Sequence, residues 1–174
     1  MAEKKRLGLV QVYTGEGKGK TTAALGLALR AVGRGWRVCF IQFCKGQLSG
    51  EHLFLEKYPV FEILCPFKSN IFTAPDDTLK KEAGETLKLA EQKILSGNYD
   101  LVVLDEINIA VYRRLIPADQ VLALLEKKPA GLEVVLTGRY AHDDLIKRAD
   151  LVTEMKPVKH PFFDNIPARL GIEY

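Results

Sequence analysis

The sequence predicts an α/β protein, a mostly parallel sheet of about six strands with helices on both faces, and three observations predict it. Short apolar runs alternate with amphipathic stretches along the whole chain. Most of those runs are near-continuous in apolar residues, as strands covered on both faces must be. A glycine-rich segment, residues 14–22, joins the first apolar run to a helix-like run, the strand–turn–helix order that opens many sheets of this class.

The candidate strands are Leu7–Tyr13, Val38–Phe43, Val60–Cys65, Leu101–Leu104, Val134–Thr137 and Leu151–Met155. Between them, Ala23 to Val32 reads as a helix. The clearest helix runs from about Asp76 to Ser96, where Leu79, Ala83, Leu87, Ala90 and Ile94 recur at steps of three and four, and Gly97 is the stop. Gly84 weakens its middle by about 1 kcal/mol relative to alanine. Pro117 suits a first helical position, Val121, Leu122, Leu124 and Leu125 supply a buried face, and Pro129 ends that segment. Asp143 to Arg148 forms a short further helix. Lys45 to His52 and Pro66 to Pro75 fit neither pattern. Each follows the carboxyl end of a strand, where ligands bind in open parallel sheets, so both read as walls of a substrate site. Phe67 and Phe72 in the second stretch either face that site or anchor their loop on the core.

At 174 residues the chain is expected to form one domain over residues 1–174, with a core large enough to fold without staples. No apolar run approaches the roughly 20 residues of a membrane span, and Met1 to Arg6 is polar and basic with no apolar stretch behind it long enough for a secretory signal. A cytoplasmic protein without a membrane partner is expected. Cys39, Cys44 and Cys65 fit no zinc spacing and read as reduced thiols. A formal charge of +3, spread along the chain, gives no reason to expect nucleic acid.

The functional signal is concentrated in Thr14-Gly15-Glu16-Gly17-Lys18-Gly19-Lys20-Thr21-Thr22. Glycines lack a Cβ, so successive amide groups can turn inward around phosphate oxygens, and the following helix aims its partially positive end at the same place. Lys20 adds a full charge, and the hydroxyl of Thr21 or Thr22 can complete the shell of a magnesium ion. The usual phosphate-loop pattern has glycine where this chain has Thr14, and it carries an extra cation, Lys18, inside the loop. The alternative reading is a glycine-rich turn without a ligand. The loop points to a P-loop NTPase architecture of the RecA-like kind.

A second half-site follows Leu101-Val102-Val103-Leu104, where Asp105 and Glu106 end an apolar strand as the acids beside a phosphate loop do. The two elements are expected on adjacent strands, sharing one metal ion; Glu106 can alternatively complement the dipole of a following helix. Arg139, after Thr137-Gly138, either reaches phosphate oxygens with its planar fork of donors or forms a surface ion pair. His52, His142 and His160 pair with no nucleophile in sequence, and no Ser-His-Asp or Cys-His arrangement is present.

These motifs, with Gln42-Phe43-Cys44-Lys45-Gly46, Pro157-Val158-Lys159-His160-Pro161-Phe162 and Gly171-Ile172-Glu173-Tyr174, give the chain a resemblance over nearly its whole length. It resembles the P-loop type ATP:corrinoid adenosyltransferases, which act on cob(I)alamin or cob(I)yrinic acid a,c-diamide. The displaced glycine of the loop is that family's own form. The resemblance implies that ATP and a reduced corrinoid are substrates, that Co(I) attacks the ribose 5′ carbon, and that inorganic triphosphate leaves. ATP is then reversed in the loop relative to ordinary P-loop ATPases. It further implies a homodimer, an electron donor such as a flavoprotein, and magnesium, or manganese, as the metal.

Carried onto this sequence, the resemblance implies nucleotide contacts from Gly15, Glu16, Gly17, Lys18, Gly19, Lys20, Thr21 and Thr22. It implies metal contacts from Thr21, Thr22, Asp105 and Glu106, and catalytic roles for Lys20, Arg139 and Phe72. Such chemistry needs no general base, because Co(I) is itself the nucleophile, so the missing catalytic histidine is expected. Family members usually carry Phe-Thr-Trp after the third strand, where this chain has Phe72-Thr73-Ala74. Phe72 can still give an apolar wall at cobalt; Ala74 lacks the second ring. Only six residues precede the first strand-like run, leaving little for the longer terminal helix of some relatives. The rival functions are a P-loop kinase or ATPase of unknown substrate and a nucleotide-dependent binding module that changes shape without chemistry.

Overall fold

In a computed structural model, residues 7–174 are described; the expectation about the first six residues lies outside them. Six strands, β1 (Val10–Thr14), β2 (Val38–Gln42), β3 (Glu62–Leu64), β4 (Leu101–Asp105), β5 (Glu133–Thr137) and β6 (Leu151–Glu154), form one sheet in the order β3-β2-β4-β5-β1-β6. Every pairing is parallel. The α/β class predicted from sequence is therefore the observed one. Every residue of the central strands β2, β4 and β5 is buried, which accounts for their unbroken apolar runs. The edge strand β6 is exposed throughout, so its apolar residues are not explained by two-sided cover.

Side chains alternate across the sheet with a period of two, and the helices divide accordingly. On one face, Ala24, Ala28 and Ala31 of α1 (Lys20–Val32) pack on Phe40, Val103 and Val135. Alanines at helical spacing let the helix axis lie close to the strands. On the other face, Ile41, Leu104 and Leu136 meet a larger cluster. It is built from α3 (Asp76–Leu95), α5 (Ala118–Lys127) and α6 (Asp143–Arg148), through residues such as Leu79, Leu125 and Leu145.

Two helices were not delimited by sequence periodicity, although the alternative reading of Glu106 allowed for one after it. Gly50–Lys57 (α2) begins inside a stretch too polar to show an apolar face, and buries only Leu55. Ile107–Tyr112 (α4) is six residues of mostly apolar sequence following an apolar strand, which periodicity cannot separate from that strand. Residues 161–164 add one 3₁₀ turn. Among the described residues no helix is long and apolar enough to cross a membrane.

Candidate active site

The carboxyl ends of β1, β2, β4 and β5 meet at one edge of the sheet. Strand β1 ends at Thr14, and Gly15 and Gly19 carry the chain into α1 with φ of 92° and 120°, values that glycine adopts without strain. The loop is also pressed against β6. Gly17 N donates to Met155 O at 2.7 Å, and a Cβ at Gly15 or Gly17 would lie 2.5 or 2.7 Å from that same oxygen. Close backbone packing thus demands glycine here, and the Gly17 amide is spent on Met155 rather than turned into the loop. Thr14, at the place of the usual glycine, accepts from Ala141 N at 3.2 Å and so ties the segment after β5 to the end of β1. Gly19 begins α1 without a side-chain cap, leaving first-turn amides for an anion.

Lys20 is buried at 7% exposure and folds back on the loop, its Nζ donating to the carbonyls of Gly15 and Gly17 at 2.7 Å each. Burial lowers its pKa, against the opposing charge of Glu106. Asp105, at the end of β4, is 1% exposed. Its Oδ1 accepts from Thr137 at 2.6 Å and Thr21 at 2.9 Å, and its Oδ2 accepts from Gln42 at 3.1 Å. Burial raises its pKa despite these donors.

The acid strand and the loop strand were expected side by side, and this is corrected by the sheet order, which inserts β5 between β4 and β1. Thr137 at the end of β5 fills the gap. Its hydroxyl donates to Asp105 and accepts from Glu106 N at 3.0 Å, so the half-sites meet through a threonine and through the Thr21–Asp105 contact. Glu106 sits at a left-handed φ of 60°, before α4. Burial, and then the neighbouring Asp105 charge, push its carboxyl up to about 7. Gly138 makes the room: a Cβ there would stand 3.2 Å from Glu106 Oε2 and 3.0 Å from Asn108 Cβ.

A cavity of about 880 Å³ opens over this edge, and Thr21, Thr22, Asp105, Glu106, Arg139 and Phe72 all border it. The two phenylalanines of the loop after β3 separate cleanly: Phe67 is 2% exposed and anchors the loop, whereas Phe72 is 90% exposed at the cavity edge. The remaining loop side chains turn elsewhere. Glu16 accepts from the Tyr140 hydroxyl at 3.2 Å. Lys18 donates to Ile172 O at 2.8 Å and pairs with Glu173 at 2.9 Å, which draws residues 171–174 into the cavity wall.

Sequence reasoning overlooked Gln42, Lys45 and Glu51 as individuals. The β2–β4 register sets Gln42 beside Asp105, and Gln42 Nε2 lies between Asp105 Oδ2 and Glu51 Oε1, the latter at 3.2 Å. Lys45 Nζ reaches the same Glu51 oxygen at 2.6 Å. Burial would raise the Glu51 pKa, but hydrogen bonds led by that of Lys45 outweigh it and bring it down to about 2. A polar residue ending an otherwise apolar strand was the available signal for Gln42. The three histidines have structural employment: Nδ1 of His52, His142 and His160 accepts from the backbone amides of Ser49, Asp144 and Phe162.

Comparison with known proteins agrees with this geometry. Residues 6–174 match the family described as ATP:corrinoid adenosyltransferase BtuR/CobO/CobP. A corrinoid adenosyltransferase of Escherichia coli strain K12 is 38% identical over 170 residues, covering 96% of this chain and 86% of the relative. One from Pseudomonas aeruginosa is 40% identical over 173 residues, covering 96% and 84%. The corrinoid adenosyltransferase CobA of Salmonella typhimurium is 38% identical over 174 residues, covering 96% and 86%. A match of that extent, on a sheet whose loop, acids and cavity lie together, means that the chain belongs to the ATP:corrinoid adenosyltransferase family.

Proposed function

We propose that this protein transfers the 5′-deoxyadenosyl group of ATP to the Co(I) centre of a corrinoid and releases inorganic triphosphate, in adenosylcobalamin biosynthesis or salvage. The observation that carries the reading is the shared cavity, in which Thr21, Thr22, Asp105 and Glu106 face the same space as the exposed ring of Phe72. Oxygen donors suited to a polyphosphate and an exposed aromatic ring against which a macrocycle can lie border one space.

The Co(I) electron pair attacks the ribose 5′ carbon as the C5′–O bond breaks, and that bonding pair leaves with triphosphate. Alkylated cobalt is then formally Co(III). The protein's share is positioning and charge stabilisation. Lys20 trades its two loop carbonyls for phosphate oxygens, and Arg139 approaches from the cavity wall. Both bear on a leaving group whose charge grows as the bond breaks, an effect worth about 2.7–4 kcal/mol per well-placed donor elsewhere. The amides that open α1, with those of the loop other than Gly17, hold the rest of the triphosphate. Phe72 forms the apolar wall on the cobalt side.

The Thr21 hydroxyl and Asp105 carboxylate, 2.9 Å apart, are oxygen donors of the kind magnesium or manganese prefers, and Thr22 and Glu106 border the same cavity. Such an ion supplies charge neutralisation at the triphosphate. In the same reading the protein is a cytoplasmic homodimer of one-domain subunits, and a flavoprotein or similar donor reduces the corrinoid.

Anaerobic incubation with ATP and chemically reduced corrinoid tests the assignment. The carbon–cobalt product should appear in the visible spectrum, with triphosphate as the phosphorus-NMR product. ADP and orthophosphate formed in corrinoid-dependent turnover would instead mean phosphoryl transfer.

A further inference from the structure

Phe72 presents a problem of support. Its ring is 90% exposed, so packing does not hold it, and the position of the wall depends on the backbone of its loop. The stem of that loop is secured by Phe67 in the core and by Glu82 of α3, which accepts from Ser69 N, Ser69 Oγ and Lys68 N. The apex is folded on itself by Asn70, whose Oδ1 accepts from Phe72 N at 2.8 Å. From elsewhere in the fold Arg113 reaches the apex: its Nη1 donates to Ile71 O at 2.5 Å, the carbonyl directly before Phe72.

Arg113 is well placed to transmit position. It caps α4, with its amide donating to Ile109 O at 2.9 Å, and α4 begins immediately after Asp105 and Glu106. Ile107, Ala110 and Val111 bury that helix in the core, so its end is fixed relative to the acids. Arg113 also borders the cavity, and its charge acts on Cys44 at the end of β2. A single rigid segment therefore runs from the triphosphate side of the cavity to the carbonyl that sets the height of Phe72.

We propose that Arg113 is a positioning residue, which fixes the Phe72 wall relative to Asp105 and Glu106 through its hydrogen bond to Ile71 O. The proposal rests on the reading of Phe72 as the corrinoid-side wall. It makes Arg113 matter for the cobalt half of the reaction and leaves nucleotide binding aside. A flat macrocycle misplaced by about 1 Å can lose two orders of magnitude in rate, because the reacting atoms must be aligned.

Arg113→Met and Arg113→Lys test this in the full-length protein, alongside Phe72→Ala and the Phe72→Ala/Arg113→Met double variant. With a Co(II) corrinoid and reductant, Arg113→Met should lower kcat by about ten- to a hundredfold, with the KM for ATP within about twofold of wild type. Arg113→Lys should restore part of the loss, since it keeps one donor. The electron paramagnetic resonance spectrum of bound Co(II) corrinoid should shift toward that seen with Phe72→Ala. The double variant should be no slower than Phe72→Ala alone, the non-additivity of residues acting through one another.

Wild-type kinetics in Arg113→Met would overturn the proposal, as would additive losses in the double variant. Equal loss of ATP and corrinoid handling would make the role structural and overturn it as well. A raised corrinoid KM with a wild-type resonance spectrum would make Arg113 a direct substrate contact, also against it. Failure of the wild-type protein to form the carbon–cobalt bond would strike the function itself, which separates the two ideas.

Discussion

Lys20 is the side chain on which the proposed triphosphate site turns. In the structure its ammonium is satisfied by two loop carbonyls, which offset part of the cost of its burial, and the proposed reaction exchanges them for phosphate oxygens. Lys20→Ala should reduce kcat/KM by at least about a hundredfold, in line with loss of one electrostatic donor. Measured by the corrinoid assay, near-normal activity would discredit this placement of the triphosphate. Glu51 is informative in another way. Its folded carboxyl, near 2, lies below the ordinary value, so the stability it contributes is present above about pH 4.5 and is lost as pH falls toward 2. The gap in melting temperature between wild type and Glu51→Gln should therefore narrow on going from pH 6 to pH 3. A constant gap would mean that the folded state does not hold this carboxyl below its ordinary value.

At the scale of elements, the loop and β6 behave as one piece. The sequence singled out Gly15, Gly17 and Gly19 for their ability to expose amides, and they do lie between a strand and a helix. The reason for two of them lies just past β6, where Met155 O occupies the space a side chain would need. No local pattern reveals a contact between residues about 140 positions apart. Gly15→Ala combines that overlap with a φ of 92°, so the loop must move. Calorimetry should show ATP affinity falling by an order of magnitude or more while the circular dichroism of the sheet is kept; unchanged affinity would show that the loop tolerates displacement. The strands β2, β4 and β5 were legible because two-sided burial writes an apolar run. The helix α4 was not, being short and buried on nearly every side.

For the whole molecule, the sheet carries two cores of unequal size on its faces, joined through the alternating side chains of the central strands. Leu104 is fully buried in the larger one, one residue before Asp105. Leu104→Ala should destabilise the fold by about 2–5 kcal/mol. With about 2–4 °C of melting temperature per kcal/mol for a chain of this size, scanning calorimetry would register a drop of several degrees. A smaller change would mean that the core relaxes around the void.

The order of strands is where sequence and tertiary structure part company. Residue types and spacing determined that a glycine-rich loop joins a strand to a helix, that acids end another strand, and that a parallel sheet connects them, because each of these is written in contiguous residues. The separation of the two half-sites by β5, the bridging role of Thr137, the turning of Lys18 toward Glu173 and the outward display of Phe72 were decided only by packing. Each joins segments distant in the chain, and the free energy that selects them comes from burial and hydrogen bonding across the assembled sheet, which has no local trace.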